Sequence, residues 1–191
     1  EFLKAMEKGA VITSEMELFF ELCPCKIIGV TGSDGKTTTT TLISEFLNQE
    51  GYKVYKGGNI GIPLLSKVEE MRKEDFAVVE LSSFQLHTMK SSPDIAIVTN
   101  VAPNHLDWHI DMNEYIDSKK NIFRYQKENG ILIVNRDNEI SYNMKNETNS
   151  EIRVFSFSNK LENGIYFDGQ NIKYLIAMIF CFREIIIYKT I

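Results

Sequence analysis

At 191 residues and a net charge of -5, the chain suits one domain of ordinary size with some length to spare. Its 43% hydrophobic and 25% charged content is that of a soluble globular protein. The acidic balance, with no Lys/Arg cluster, argues against a nucleic-acid partner. Cys23, Cys25 and Cys181 lack the C-x-x-C spacing and the second pair of a structural metal site, so they read as reduced thiols of a cytoplasmic protein.

No secretory signal opens the chain and it does not begin with Met, so it reads as a fragment. Glu1 to Gly9 resembles a helix end, and Val11 to Thr13 is strand-like. Ser14, with Glu17 three residues later, caps a helix that reaches about Leu22 and is ended by Pro24. So short a stretch cannot build its own core, and residues 1–22 are expected to be the end of a preceding domain.

Ile27 to Thr31 is a short β-branched run that predicts a buried strand, and Thr37 to Asn48 has helical spacing. Between them Thr-Gly-Ser-Asp-Gly-Lys-Thr makes a glycine turn, the strand–turn–helix context of a phosphate-binding loop. Val30 stands where the general motif has its first glycine, which leaves a tighter variant. Backbone N–H groups of Gly32, Ser33, Asp34, Gly35, Lys36, Thr37 and Thr38, with the positive end of the helix dipole, would converge on an anion. Lys36 adds a mobile charge for the outer phosphates, and the Thr37 hydroxyl can ligate Mg²⁺.

Gly51 is a natural stop for that helix. A strand is expected over Lys53 to Tyr55, then a second glycine loop, Gly57 to Gly61, and a helix opened by Pro63. Phe76 to Leu81 and Ile95 to Val98 predict buried strands, Met112 to Gln126 a helix, Ile131 to Val134 and Ile152 to Phe157 further strands, and Gly164 to Asn171 a turn region. Strands alternating with helices predict an α/β fold with a mostly parallel sheet covered on both faces. Tyr174 to Ile191 is an anomalous apolar tail. Its longest uncharged run falls well short of the ~20 residues that cross a bilayer, so no membrane insertion is expected.

Ligands of parallel α/β sheets bind at the carboxyl ends of the strands. Three features fall there: the phosphate loop; Glu80 with Ser82-Ser83-Phe84-Gln85; and Asn104-His105-Leu106-Asp107. A carboxylate ending an apolar strand is either a solvated strand-end acid or meets a cation; Mg²⁺ beside Thr37 would supply one. His105-x-Asp107-x-His109 has zinc-like spacing but no fourth ligand.

Together these residues resemble the Mur ligase family, ATP-dependent enzymes that add amino acids to the UDP-linked peptidoglycan precursor. The resemblance runs from about Val11 to Phe157, with Asp34 where an Asn is more usual. It implies a P-loop-containing central ATP-binding domain over residues 23–173, preceded by the end of a UDP-binding domain over 1–22, with the carboxyl-terminal domain absent. The string Glu80 to Leu86, with Asn100 and His105-Leu106-Asp107, looks most like the D-glutamate-adding branch. That implies UDP-MurNAc-L-Ala and D-Glu as substrates, ATP and Mg²⁺ as cofactors, and an acyl phosphate intermediate. Lys36, His105 and Lys119 would be catalytic. Thr37 and Glu80 would hold one Mg²⁺; His105 and a carbamate on Lys119 would hold a second. Asn59, Ser82 and Gln85 would contact the nucleotide sugar. Spacing by itself reads Lys119 as a solvated helix lysine, with Lys120 the fallback for the carbamate. The chain alone is expected to be inactive. A folylpolyglutamate synthetase-like ligase, or an ATP-binding module without turnover, stays open as an alternative.

Overall fold

The structure is a computed structural model that describes residue 4 and residues 7–10, 13–103 and 108–174. Strand β1 (Lys26–Thr31) lies inside one eight-stranded sheet of order β2-β3-β1-β4-β5-β6-β7-β8. The others are β2 (Val54–Gly58), β3 (Phe76–Glu80), β4 (Ile95–Val98), β5 (Ile131–Asn135), β6 (Glu151–Ser156), β7 (Ile165–Phe167) and β8 (Ile172–Tyr174). All pairings from β2 to β7 are parallel; only β7 with β8 is antiparallel. The mostly parallel α/β sheet expected from the strand–helix alternation is therefore present.

Side chains alternate across the sheet, so each strand feeds two cores. Ile28, Val30, Val78 and Ile97 face helix α2 (Lys36–Gln49) and pack with its Leu47. Ile27, Ala77, Val79, Ala96, Val98, Leu132 and Val134 face the other side. There they meet Leu86 of α3 (Ser83–Thr88) and Tyr115, Ile122 and Phe123 of α4 (Met112–Arg124). Burying each Leu or Val of this kind stabilises the fold by roughly 1.5–3 kcal/mol.

Helix α1 (Glu15–Leu22) is capped as the sequence predicts, with the Ser14 side chain accepting from Glu17 N at 3.1 Å. Its Met16 and Phe19 join the second core, and Glu17 Oε1 accepts from Lys90 N at 2.9 Å. Helix α1 thus packs onto the sheet. Three elements differ from the expected ones. β2 absorbs Gly57 and Gly58, because they continue the ladder opposite Val79 and Glu80. The helix expected from Pro63 is a 3-10 turn over Leu65–Glu70, after which Met71 turns extended. Within Gly164 to Asn171, Ile165–Phe167 forms β7, and the turn is confined to 168–171, where Asp168 Oδ1 accepts from both Gln170 N and Asn171 N. The polar stretch after β5 forms α5 (Glu139–Asn143) and a 3-10 turn. Residues 175–191 lie outside the described residues, as do Val11 and Ile12.

Candidate active site

Parallel strands deliver the ends of β1, β3 and β4 to one edge, and the loop after β1 is built from both neighbours. Ser33 N donates to Asn100 O at 2.9 Å, and Asp34 N donates to Asn100 Oδ1 at 2.9 Å. Thr99 Oγ1 donates to Asp34 O at 2.7 Å, and Thr31 Oγ1 to Leu81 O at 2.8 Å. The Ser33 hydroxyl is shared among Ala102 N, Ala102 O and the Tyr115 hydroxyl, at 2.9–3.0 Å. Gly32 is at φ 155°, and a Cβ there would lie 1.9 Å from Thr99 Oγ1. Gly35, at φ 79°, caps α2 in the left-handed region. The N–H groups that open α2 therefore have no side-chain cap of their own, and Thr37 and Thr38 are exposed there.

Lys36 folds back on this loop, its Nζ donating to Gly32 O at 2.9 Å and Ser33 O at 3.0 Å. Glu80, 2% exposed at the end of β3, accepts from the Thr37 hydroxyl at 2.7 Å and from Asn59 Nδ2 at 3.1 Å. Asn59 is placed by its own N–H bond to Glu80 O, and Gly58 (φ 101°) leaves no room for a Cβ against that carbonyl. Both partners of the carboxylate are neutral, and among the described residues it has no ion pair with Lys or Arg. A buried carboxylate so placed is costly unless a cation meets it. The oxygen donors of Thr37 and Glu80 are those a hard divalent cation takes.

Lys119 is 1% exposed on α4, with its Nζ donating to Gly32 O at 3.0 Å and lying 4.6 Å from the Tyr115 ring centroid. Burial, with the nearby Lys36 charge adding to it, pulls its ammonium down to about 7. Lys120, one residue on, faces out and pairs with Glu147 at 2.7 Å.

The structure thus brings Lys36, Thr37, Glu80, Asn59 and Lys119 to one edge. His105 lies outside the described residues. Ser82 and Gln85, expected at the nucleotide sugar, form a capping box on α3: Gln85 N donates to Ser82 Oγ at 3.3 Å and Ser82 N to Gln85 Oε1 at 3.0 Å. Gln85 also borders a cavity of about 250 Å³ with Gly58, Gly61 and Ile62 of the second glycine loop. Ser82→Ala is expected to cost about 1 kcal/mol of stability in urea denaturation without any ligand; an unchanged midpoint would deny the cap. Thr99, Asn100 and Tyr115 are the loop-holding residues that chain-order reading left without a role. The only signal for them was Thr99-Asn100 directly after a buried strand. Behind the site His109, 2% exposed, has Nε2 at 3.0 Å from Ser83 Oγ and stacks on Phe84; burial lowers its basicity. Its Nδ1 faces Glu114 Oε2 at 3.5 Å, an oxygen already accepting from Ile110 N at 2.7 Å.

Residues 30–179 match the Mur ligase middle domain. The chain belongs to the Mur ligase family. It is 56% identical over 170 residues to the UDP-N-acetylmuramoylalanine–D-glutamate ligase of Clostridium novyi, covering 89% of this chain and 37% of that protein. The enzyme of the same name from Acetivibrio thermocellus is 58% identical over 164 residues, 86% of this chain and 35% of that one. The chain therefore spans little more than a third of the length of these two relatives. Among solved structures, the MurF ligase of Thermotoga maritima in complex with ADP aligns with a TM-score of 0.63 at 24% identity, over 83% of this chain and 41% of that chain, a likeness of fold. No helix among the described residues of this Mur ligase is long and apolar enough to cross a membrane.

Proposed function

We propose that this chain is the nucleotide-binding core of a cytoplasmic ligase that adds D-glutamate to UDP-MurNAc-L-Ala, forming an amide bond in peptidoglycan precursor synthesis at the cost of ATP. The observation that carries the reading is the junction of the phosphate loop with Glu80, the 2.7 Å bond from the Thr37 hydroxyl to a buried carboxylate. In this reading residues 1–22 end a UDP-binding domain and residues 23–173 are the central ATP-binding domain. The identity to D-glutamate-adding relatives supports the substrate assignment.

The loop N–H groups from Gly32 to Thr38 and the Lys36 ammonium would bind the β- and γ-phosphates of ATP. Thr37 and Glu80 would hold Mg²⁺, which when bound neutralises phosphate charge as the γ-phosphoryl group moves to the substrate carboxylate. Asn59 would keep Glu80 turned toward the metal, while Ser82 and Gln85 would present the α3 cap to the nucleotide sugar. The amine of D-Glu then attacks the acyl phosphate. Charge accumulates on phosphoryl oxygens and on the tetrahedral centre, which is where fixed cations lower the barrier.

Lys119 is suited to becoming a carbamate. A lysine held near pKa 7 presents a substantial neutral amine fraction, the form that adds CO₂. The product would be an anionic oxygen ligand, which together with His105 would serve a second Mg²⁺. Because the relatives are far longer than this chain, ligation is assigned to the longer enzyme, and the 191 residues alone are expected to bind nucleotide without substrate-dependent turnover.

The test is calorimetric titration of the purified chain with a non-hydrolysable ATP analogue and Mg²⁺, repeated with Lys36→Ala. Saturable binding that weakens at least about a hundredfold in the variant, a loss of some 2.7 kcal/mol, is the expected result. Equal affinity of the two chains would sink the assignment of the loop. Phosphate release from ATP, UDP-MurNAc-L-Ala and D-Glu at an ordinary enzyme rate, about 1 per second or faster, would overturn the expectation that the 191 residues do not turn over alone.

A further inference from the structure

At the opposite edge of the sheet, Cys23 ends α1 as its C-cap, Pro24 follows, and Cys25 leads into β1. Both thiols are free, and their Sγ atoms stand 3.4 Å apart. A third sulfur arrives from 48 residues away: Met71 Sδ, at the end of the 3-10 turn, lies 3.8 Å from Cys23 Sγ. Cys25 and Met71 are each 6% exposed, while half-buried Cys23 borders a cleft of about 540 Å³ at the amino ends of β1, β4 and β5.

We propose that Cys23, Cys25 and Met71 form a binding site for a soft monovalent metal ion, Cu(I), separate from the phosphate loop. Metal–thiolate bonds of about 2.3 Å in a trigonal array set the sulfurs about 4 Å apart; the two spacings from Cys23, 3.4 and 3.8 Å, lie within roughly 0.6 Å of that. Two thiolates and a thioether are the donor set that selects Cu(I) over hard cations. Zinc would want a fourth nitrogen, sulfur or oxygen ligand. Among the described residues no cluster of three or more His, Cys, Asp or Glu offers one. The carboxylates of Asp94 and Asp75 act electrostatically on Cys23 and Cys25, giving the pocket a negative field. On binding, the protons still on the two sulfurs leave to solvent, two thiolate bonds and one thioether bond form to the metal, and no electron is transferred. The ion would clamp the end of α1, the start of β1 and the turn before β3.

The experiment uses the full chain with Cys181→Ser, reduced and anaerobic, with Cu(I) supplied as its complex with a colorimetric chelator. One equivalent should transfer to the protein, and X-ray absorption at the copper edge should show a shell of three sulfurs. Met71→Leu, a change of similar volume, should weaken capture by at least about 10-fold, the smallest loss expected when even a supporting contact of a metal site is removed, and reduce the shell to two sulfurs. Cys23→Ser should abolish capture. A shell containing nitrogen or oxygen, a two-sulfur shell in the parent, or unchanged affinity in Met71→Leu would each overturn the site. Because Met71→Leu keeps both thiols and the core volume, its result does not depend on whether the cysteine variants fold.

Discussion

Lys119→Met is expected to make the folded chain more stable at neutral pH and to flatten its pH dependence. The ammonium is pulled from an ordinary 10.5 to about 7 by burial first and by the Lys36 charge second. The unfolded chain therefore binds a proton between those values that the folded chain does not. Stability contributed by this site is lowest at and below about pH 7 and rises as pH climbs toward 10.5. At about 1.4 kcal/mol per pH unit, the wild type should gain on the order of 3 kcal/mol relative to Lys119→Met from about pH 7 to about pH 9.5. Methionine keeps most of the buried volume, and Gly32 O still has Lys36 as a donor. Urea denaturation of both chains across that range, taken as a difference, removes the titration of every other group. A flat difference would mean that Lys119 is solvated and normally charged. If Lys119 carries the proposed carbamate, ligation by the longer enzyme with the same change should be lost, because methionine cannot form one.

Gly32→Ala should remove both nucleotide binding and part of the fold's stability. The new methyl carbon would sit 1.9 Å from Thr99 Oγ1 and 3.1–3.2 Å from the Asn100 backbone. The hydroxyl it strikes is the one that holds Thr31 O and Asp34 O. Overpacking of this kind costs about 1–3 kcal/mol, and the loss of the one bond that the hydroxyl donates, shared between those carbonyls, adds about 1 kcal/mol. Combining Gly32→Ala with Thr99→Ala should therefore be strongly non-additive in stability, since one substitution vacates the space the other fills. Thr99→Ala alone should lower stability while leaving room for the loop. If the two costs simply add, the clash is relieved elsewhere and the loop is softer than its hydrogen bonds imply.

The parts legible in the sequence were those whose chemistry is local. Gly32, Gly35 and Lys36 announce a turn between strand and helix because each residue type answers a backbone requirement within a few positions. Ser14 and Glu17 announce a cap in the same way, and the β-branched runs announce the sheet. Side-chain partnerships were not legible, because they depend on which faces meet. Lys119 and Lys120 are adjacent and chemically identical, yet α4 turns one into the loop and the other toward Glu147. Asn59 was expected on a ligand, and its amide is found on Glu80. Ser82 and Gln85 answer each other across one helical turn. Met71 gave no sign that it ends beside Cys23, since nothing in spacing connects residues 48 positions apart.

The inward fold of Lys36 has a consequence for how the loop fills. With its Nζ on Gly32 O and Ser33 O, the side chain is a tethered occupant of its own cradle. In the proposed function an arriving phosphate would compete with two carbonyls for that ammonium, so the affinity measured would be a difference between two sets of contacts. Exchange of one nucleotide for another would then be a swap of partners around one nitrogen.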